Sequence, residues 1–416
     1  MFGQQLPLLF DPDALPAGHR EFLAHYAGAT SVDNQALYRK EASRTGADTA
    51  DFLQRSPVGT SGDLHSISAR RLRWWQQSLK AKGWLEPVSG KRGHWRLTDP
   101  ARKALTPQGR GRVLLGYSTD LGLALWSNSE DVFGHLGEPI SLVLTSPPYP
   151  LANPRAYGNV PIAQYVDWLC SMLEPLVRNL DDGAVIALNV SNDVFETKSP
   201  ARSTYRERLV IALCDRFALF KMDEIIWNCP NKPPGPIQWA SLERFQLNTA
   251  WEPVYVFTNN PHRCLANNRR VLQAHTDRHM ALMKKGGETR TRTNSDGAYR
   301  IYPGSYGTLT AGRIPKNVIT CSNSKSDPDL KRAKAMARQD GLPLHGAPMP
   351  LELANFLVQY LSEEGSLVAD LFAGWNTTGY AAQINGRRWI SAEKHGEYVA
   401  GSAERFSRFN GFERAC

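Results

Sequence analysis

Cysteine is sparse in this chain and never clustered. Six cysteines (Cys170, Cys214, Cys229, Cys264, Cys321 and Cys416) are spread over 416 residues. Without close pairing they support neither a disulfide framework nor a zinc site, and no metal is expected. Reduced, mostly structural thiols of a cytosolic protein are the expectation. Long apolar runs are missing too: none approaches the ~20 residues that span a bilayer. The start, Met1 to Pro7, lacks the basic and apolar segments of a secretory signal. A soluble cytoplasmic protein, without membrane contact, is therefore expected. Acidic residues are in deficit, 40 against 49 Lys and Arg, and the net charge of +9 favours a polyanionic partner.

What is present is ordinary globular composition, 42% hydrophobic and 21% charged, over a length that suggests two or three domains. Residues 1–12 read as a flexible lead and 13–107 as a compact, mainly helical module. Within it, Ser68 to Lys80 places Leu72, Trp75 and Leu79 at helical spacing, with Ser68 as N-cap. Gly83 ends this helix. Trp84 to Val88 and His94 to Thr98 read as strands around the basic turn Ser89-Gly90-Lys91-Arg92-Gly93. A helix followed by a basic two-stranded hairpin outlines a winged helix. From Ser66 to Leu105 the stretch resembles the N-terminal winged-helix domain of Mrr-type restriction proteins, with an Arg-rich helix and a Trp-x-Leu-Thr wing. Arg70, Arg71, Arg73, Lys91 and Arg92 are its candidate DNA contacts, and Trp74, Trp75, Trp84 and Trp95 are expected in its core.

Beyond the Gly/Arg linker at 107–112 the pattern becomes alternating β and α. Val113 to Tyr117 reads as a strand, with Asp120 opening a helix. The apolar run Ile140 to Leu144 enters Thr145-Ser146-Pro147-Pro148-Tyr149. A buried strand stopping at two prolines is a rigid turn that holds a hydroxyl and an aromatic ring at a strand end, where open α/β sheets bind ligands. A helix to Leu180, the strand Ala184 to Val190, a helix from Tyr205 to Phe217 and strands at Asp223–Asn228 and Trp251–Phe257 follow. They complete a catalytic half over 113–260, and the alternation argues a doubly wound sheet. Residues 261–344 lack periodicity and are rich in Arg, Lys, Gly and Asn. They read as a target-reading insertion, with Arg290 and Arg292 as candidate DNA contacts, or as disorder in their central part.

The last part, 345–416, carries a strand (Ser366 onward), a tight turn at Gly374, a helix, and a strand ending in Glu393. That is the nucleotide-binding βαβ pattern, with the acid placed to take ribose hydroxyls. Trp375-Asn376 stands where a phosphate-binding fingerprint has its middle glycine. A pyrophosphate would fit poorly there, whereas a nucleoside such as S-adenosylmethionine would not need that close approach.

Asp370-Leu371-Phe372-Ala373-Gly374-Trp375-Asn376-Thr377-Thr378-Gly379 resembles motif I of the DNA amino-methyltransferases, and Thr145 to Tyr149 resembles their motif IV. Motif IV comes first and motif I follows 225 residues later, the order of the β class. Trp251 to Phe257, Ile314 to Val318, His345 to Pro350 and Glu393 fall where that family has further motifs, so the resemblance covers about Val113 to Phe409. It is closest to the cytosine-N4 restriction-modification methylases, which commonly carry Ser at the head of motif IV.

The resemblance implies a Rossmann-like class I methyltransferase sheet, S-adenosylmethionine as cofactor and double-stranded DNA as substrate. A flipped-out cytosine would be methylated at N4, with a cognate restriction endonuclease as a possible companion and a monomer or homodimer as the assembly. It implies Ser146, Pro147, Pro148 and Tyr149 as the catalytic turn. For the cofactor it implies Asp370, Phe372, Gly374, Asn376, Thr377, Thr378 and Glu393, with Asp120 as the acid meeting the adenine amine. No Pro-Cys motif is present, in keeping with direct transfer to an exocyclic amine. Two alternatives stay open: an adenine-N6 methyltransferase, and a DNA-binding regulator whose methyltransferase core is vestigial.

Overall fold

A computed structural model describes residues 22–26, 29–58, 63–98, 108–151, 160–323 and 327–415, together with positions 19 and 101. The lead expected at 1–12 lies outside the described residues. The N-terminal part contains β1 (Val32–Asp33), α1 (Asn34–Arg44), α2 (Thr49–Phe52), β2 (Ser56–Val58), β3 (Asp63–His65), α3 (Ile67–Ala81), β4 (Leu85–Pro87) and β5 (His94–Leu97). Strands β1, β5 and β4 form an antiparallel sheet in that order. Helix α3 starts two residues earlier than expected, because the Ser66 hydroxyl, not that of Ser68, accepts the Ala69 N–H at 3.2 Å.

Ala69, Leu72, Gln76 and Leu79 occupy the inward face of α3. Gln76 is satisfied there by donating to the Tyr26 hydroxyl and to Asn34 Oδ1 at 2.9 Å each. Trp84 and Trp95 are buried as expected, but Trp74 is 64% exposed. Two residues beyond Leu72, it is carried about 200° round the helix from the core.

The rest of the chain is built on ten strands among the described residues. The first two, β6 (Leu114–Thr119) and β7 (Gly122–Trp126), form a hairpin. Asp120 therefore lies in a two-residue turn, not at a helix start. The series continues with α4 (Ser129–Phe133), β8 (Ile140–Thr145), α5 (Ile162–Val177), β9 (Leu180–Asn189), α6 (Tyr205–Phe217), β10 (Phe220–Asn228) and β11 (Trp251–Thr258).

The 261–344 segment is less irregular than its composition suggests. It holds α7 (Asp277–Lys284), the small hairpin β12 (Arg292–Asn294) and β13 (Tyr299–Ile301), then β14 (Val318–Thr320) and α8 (Pro328–Gln339). Strand β14 pairs with β10 at the edge of the main sheet. The chain closes with α9 (Leu351–Leu361), β15 (Leu367–Asp370), α10 (Thr377–Ile384), β16 (Arg388–Glu393), α11 (Gly396–Ala403) and β17 (Glu413–Arg414).

The sheet order is β14-β10-β11-β9-β8-β15-β16-β7-β6-β17. The five central strands, β9, β8, β15, β16 and β7, are parallel. From β8 the chain steps outward to β9, and from β15 it steps the other way to β16. The gap between β8 and β15 is thus the switch point where α/β sheets open a crevice. Strand β8 is buried along its whole length. Val143 packs with α5 and α6 on one face, and Leu142 and Leu144 pack with α9 and α10 on the other. No helix among the described residues is long and apolar enough to cross a membrane.

Candidate active site

Parallel pairing brings Thr145, Asn189, Asp370, Glu393 and Trp126, each the last residue of its strand, to one edge of the sheet. A single cavity of about 1380 Å³ opens along that edge and is lined by Ser146, Tyr149, Phe372, Gly374 and Glu393 among others. Sequence positions 225 residues apart meet at its floor, where the Thr145 hydroxyl donates to Asp370 Oδ1 at 2.6 Å. The same carboxyl oxygen accepts the Phe372 N–H at 3.1 Å, and Thr378 Oγ1 donates to the Leu144 carbonyl at 3.2 Å. Burial pushes the Asp370 carboxyl above the ordinary range, against the pull of those hydrogen bonds.

At the β8 end, the Ser146 and Tyr149 hydroxyls are 3.1 Å apart. The Tyr149 hydroxyl also lies 3.1 Å from each of two acceptors, Asn189 Oδ1 and Glu252 Oε2. Asn189 is oriented by its own amide N–H to the Pro253 carbonyl, and Glu252 is paired with Lys232 at 2.8 Å. Burial first, and the Glu252 charge second, hold the Tyr149 phenol well above its usual range, so its proton stays on. That single proton is committed to Asn189 or Glu252, so in the Ser146–Tyr149 contact the serine is the donor. The lone pairs of Ser146 Oγ are left to accept from a ligand. No backbone N–H of a described residue reaches the Pro147 carbonyl, which adds a second acceptor on the same turn.

At the β16 end, Glu393 accepts the Gly374 N–H at 2.7 Å on one oxygen and the His395 N–H at 2.8 Å on the other. Each oxygen keeps a further lone pair, so the group can hold two hydroxyls of a sugar. Burial raises the Glu393 carboxyl to about 7. Gly374 has φ +52, and a Cβ there would come within 3.1 Å of the His345 ring, so the turn needs glycine to leave room beside Glu393. Phe372 packs against Trp168 with ring centres 5.5 Å apart and the rings tilted by 38°, forming an apolar wall.

Most of the expected site residues converge on this cavity: Ser146, Pro147, Pro148, Tyr149, Asp370, Phe372, Gly374, Thr377, Thr378 and Glu393 all line it. Two do not. Asn376 is not among the lining residues and is only 2% exposed. Its amide donates to the Tyr117 hydroxyl, and its oxygen accepts from Gly379 N–H and the Ser391 hydroxyl. It is the N-cap of α10, in a left-handed conformation. Asp120 sits in the turn before β7, at the opposite edge of the sheet, where its N–H bonds to the Asn410 carbonyl. The far end of the same hairpin reaches the cavity instead, through Asn128 and Ser129.

Asn189, Lys232 and Glu252 were not expected in the site. The available signal was a polar residue closing an apolar strand, at Asn189, and an acid opening one, at Glu252. The basic residues Arg70, Arg71, Arg73, Lys91, Arg92, Arg290 and Arg292 are all exposed.

Residues 140–404 match the family model for DNA methylases that act on N6 or N4 amines. The chain belongs to this DNA methylase family. Among curated relatives, the type II methyltransferase M.PvuII of Proteus hauseri is 33% identical over 270 residues, 65% of this chain and 78% of the relative. The solved PvuII DNA methyltransferase, described as cytosine-N4-specific, superposes with a TM-score of 0.55 at 28% identity, covering 70% of this chain and 88% of that one. The structure of the M1.HpyAVI–SAM complex is more distant: 14% identity and a TM-score of 0.38 over 68% of this chain and 99% of that one.

The buried Glu393 makes this methylase sensitive to pH. Its proton is held more tightly in the folded chain, with a value of about 7 against the ordinary 4.5. Between those values the folded state binds the proton that the unfolded chain has lost, so stability from this group declines as pH rises through that window. Urea midpoints at pH 5 and pH 7.5 should fall for the unliganded wild type and fall less for Glu393→Gln. Identical pH dependences in the two proteins would remove the assigned burial cost.

Proposed function

We propose that this DNA methylase transfers a methyl group from S-adenosylmethionine to the exocyclic N4 of a cytosine flipped out of double-stranded DNA, in a restriction-modification setting. The cavity fits that cofactor: Glu393 retains acceptor capacity for the ribose, and Gly374 keeps the turn open beside it. Phe372 and Thr377 line the space between the turn and the base site. When bound, S-adenosylmethionine supplies a sulfonium methyl to an incoming lone pair. Every other part of the work falls to the chain.

The observation that carries the reading is the hydrogen-bonded chain from Ser146 through Tyr149 to Asn189 and Glu252. An exocyclic amine is a weak nucleophile because its lone pair is conjugated into the ring. Ser146 Oγ and the Pro147 carbonyl can accept its two N–H bonds, drawing the nitrogen toward tetrahedral geometry and turning the lone pair to the methyl. With the cofactor bound, transfer would leave the C–S electron pair on the sulfur and one surplus proton on the nitrogen, and the hydrogen-bonded chain from Ser146 through Tyr149 to the Glu252 carboxylate offers that proton a path. Tyr149, Asn189 and Glu252 act as positioning residues that hold the serine proton away from the base. Confinement of the reactants supplies much of the rate, and a base that reacts inside the cavity would have to leave the stack. The cytosine assignment is supported by the serine at the head of the turn and by the cytosine-N4 specificity of the PvuII enzyme.

We also assign 13–107 to a winged-helix DNA-binding module, 113–260 and 345–416 to the two halves of the catalytic core, and 261–344 to target recognition. Support for the first comes from α3, the β4–β5 hairpin and the three-stranded sheet, with Arg70, Arg71 and Arg73 exposed on the helix and Lys91 and Arg92 at the hairpin turn. Arg290 and Arg292, exposed beside the small β12–β13 hairpin, would contact DNA from the second segment.

Nucleoside analysis of DNA treated with the protein should yield N4-methylcytosine; N6-methyladenine as the sole product would overturn the base assignment. Ser146→Ala should retain cofactor binding while turnover falls about 10²–10³-fold, the usual cost of losing one placed polar contact in a transition state. Near-normal turnover would refute the role of that hydroxyl. Replacing Arg70, Arg71 and Lys91 together by alanine should lower the slope of log affinity against log salt by about 2–3, near one unit per lost phosphate contact. An unchanged slope would leave the N-terminal module without a DNA role.

A further inference from the structure

The cofactor of the preceding reading brings a charge that the residues described so far do not answer. Its methionine end carries an α-carboxylate, which must lie somewhere along the cavity. Four side chains with fixed positive charge line that cavity: Arg110, Lys232, Lys334 and Lys394. Lys232 is already paired with Glu252 at the base end. Arg110 and Lys394 are exposed, and the backbone bond from Gln108 N–H to the Lys394 carbonyl places both beside the ribose acid Glu393. Lys334 differs from all three. It is half-buried, and it makes no hydrogen bond or ion pair with any described residue.

Its location follows from the packing of α8. Leu330, Ala333 and Ala337 of that helix pack against Trp375 and Tyr398, setting the next residue after Ala333 over the rim of the 370–377 turn. The nearest acid, Asp327, is committed to Arg405 at 3.1 Å. Arg405 is itself spent below the turn, donating to the Trp375 carbonyl at 3.0 Å and to Thr377 Oγ1 at 3.2 Å. Lys334 thus shares the charge of Asp327 with Arg405, and burial together with Arg338 and Arg405 outweighs that acid and lowers its affinity for the proton. An anion entering the cavity would relieve both costs.

Geometry decides which part of the cofactor comes here. Glu393 fixes the ribose at the end of β16, and the methyl must face Ser146 at the end of β8. The sulfur would then lie over the intervening end of β15, where Trp375, packed against α8, brings Lys334 toward the methionine arm. We propose that Lys334 binds the α-carboxylate of the cofactor's methionine, closing the cavity at the end opposite the ribose.

The inference rests on S-adenosylmethionine being the cofactor, and two ligands separate the claims. S-adenosylhomocysteine carries the carboxylate, whereas 5′-methylthioadenosine has the same nucleoside and sulfur without the amino acid. Calorimetric titration of the full chain should show Lys334→Met weakening S-adenosylhomocysteine about 10–100-fold, the loss of one charge-assisted contact. The same variant should bind 5′-methylthioadenosine like the wild type, and Lys334→Arg should retain most of the lost affinity. Lys334→Met binding S-adenosylhomocysteine normally would overturn the proposal. So would equal weakening of both ligands, with Lys334→Gln deciding the case if the methionine variant is unstable. Wild-type protein that binds neither ligand would overturn the cofactor reading itself.

Discussion

One buried hydrogen bond, from the Thr145 hydroxyl to Asp370, sets the distance on which the rest of the site depends. It joins the ends of two adjacent parallel strands at the switch point, one leading to the turn proposed to bind the base and the other to the turn proposed to hold the cofactor. In a reaction that needs a nitrogen and a methyl carbon held near contact, a misplacement of about 1 Å can cost ~10²-fold. The protein therefore fixes the two turns to each other directly. Asp370 takes the Thr145 proton and the Phe372 N–H on one oxygen, so a single side chain sets both turns. The neighbouring bond from Thr378 to the Leu144 carbonyl repeats the tie from α10.

This arrangement places two acids, Asp370 and Glu393, in a buried site, and burial raises both. Backbone N–H groups at Phe372, Gly374 and His395 offset part of the cost, because a carboxylate favoured by several donors keeps its charge more easily. The turn is braced from below by Arg405, fully buried and stacked over Tyr380 at 4.4 Å. The positive and negative groups are thereby sorted by depth. Glu393 faces the cavity, Asp370 ties the two turns, Arg405 holds the Trp375 carbonyl and the Thr377 hydroxyl under the turn, and Lys334 lines the cavity.

The order of strands and the residues at their ends were readable from the chain because both are local properties. An apolar run and a rigid or glycine-containing turn are visible without knowing what lies opposite. The errors have equally local causes. Asn376 stands in the middle of a ligand-binding stretch, yet its side chain turns inward to cap α10, and nothing in the spacing distinguishes a cap from a contact. Asp120 was placed at a helix start because the turn to β7 is only two residues long and carries a strong capping residue. Trp74 adjoins Trp75, and adjacent tryptophans cannot share one helix face. What the chain could not show was the meeting of Tyr149, Asn189, Glu252 and Lys232, which come from four segments and touch only because β11 runs antiparallel to β9. Lys334 was hidden for a similar reason, within a segment whose composition reads as loop although α8 packs on the cofactor turn.

The same network bears on why a serine heads the base-binding turn. A serine hydroxyl keeps its lone pairs turned to an amine best when its own proton is engaged elsewhere, and the Tyr149 oxygen 3.1 Å away offers that engagement. Tyr149 can do so because Asn189 and Glu252 take the tyrosine proton in turn. An aspartate at position 146 would need no such help, but it would set a second carboxylate beside the Tyr149–Glu252 pair. Like charges sharing a buried site disfavour ionisation of one of them, and a protonated aspartate would present a donor where the amine needs an acceptor. On the proposed function, Ser146 and Glu252 are therefore a matched choice: the acid is held behind the tyrosine, and a neutral oxygen is left facing the cavity.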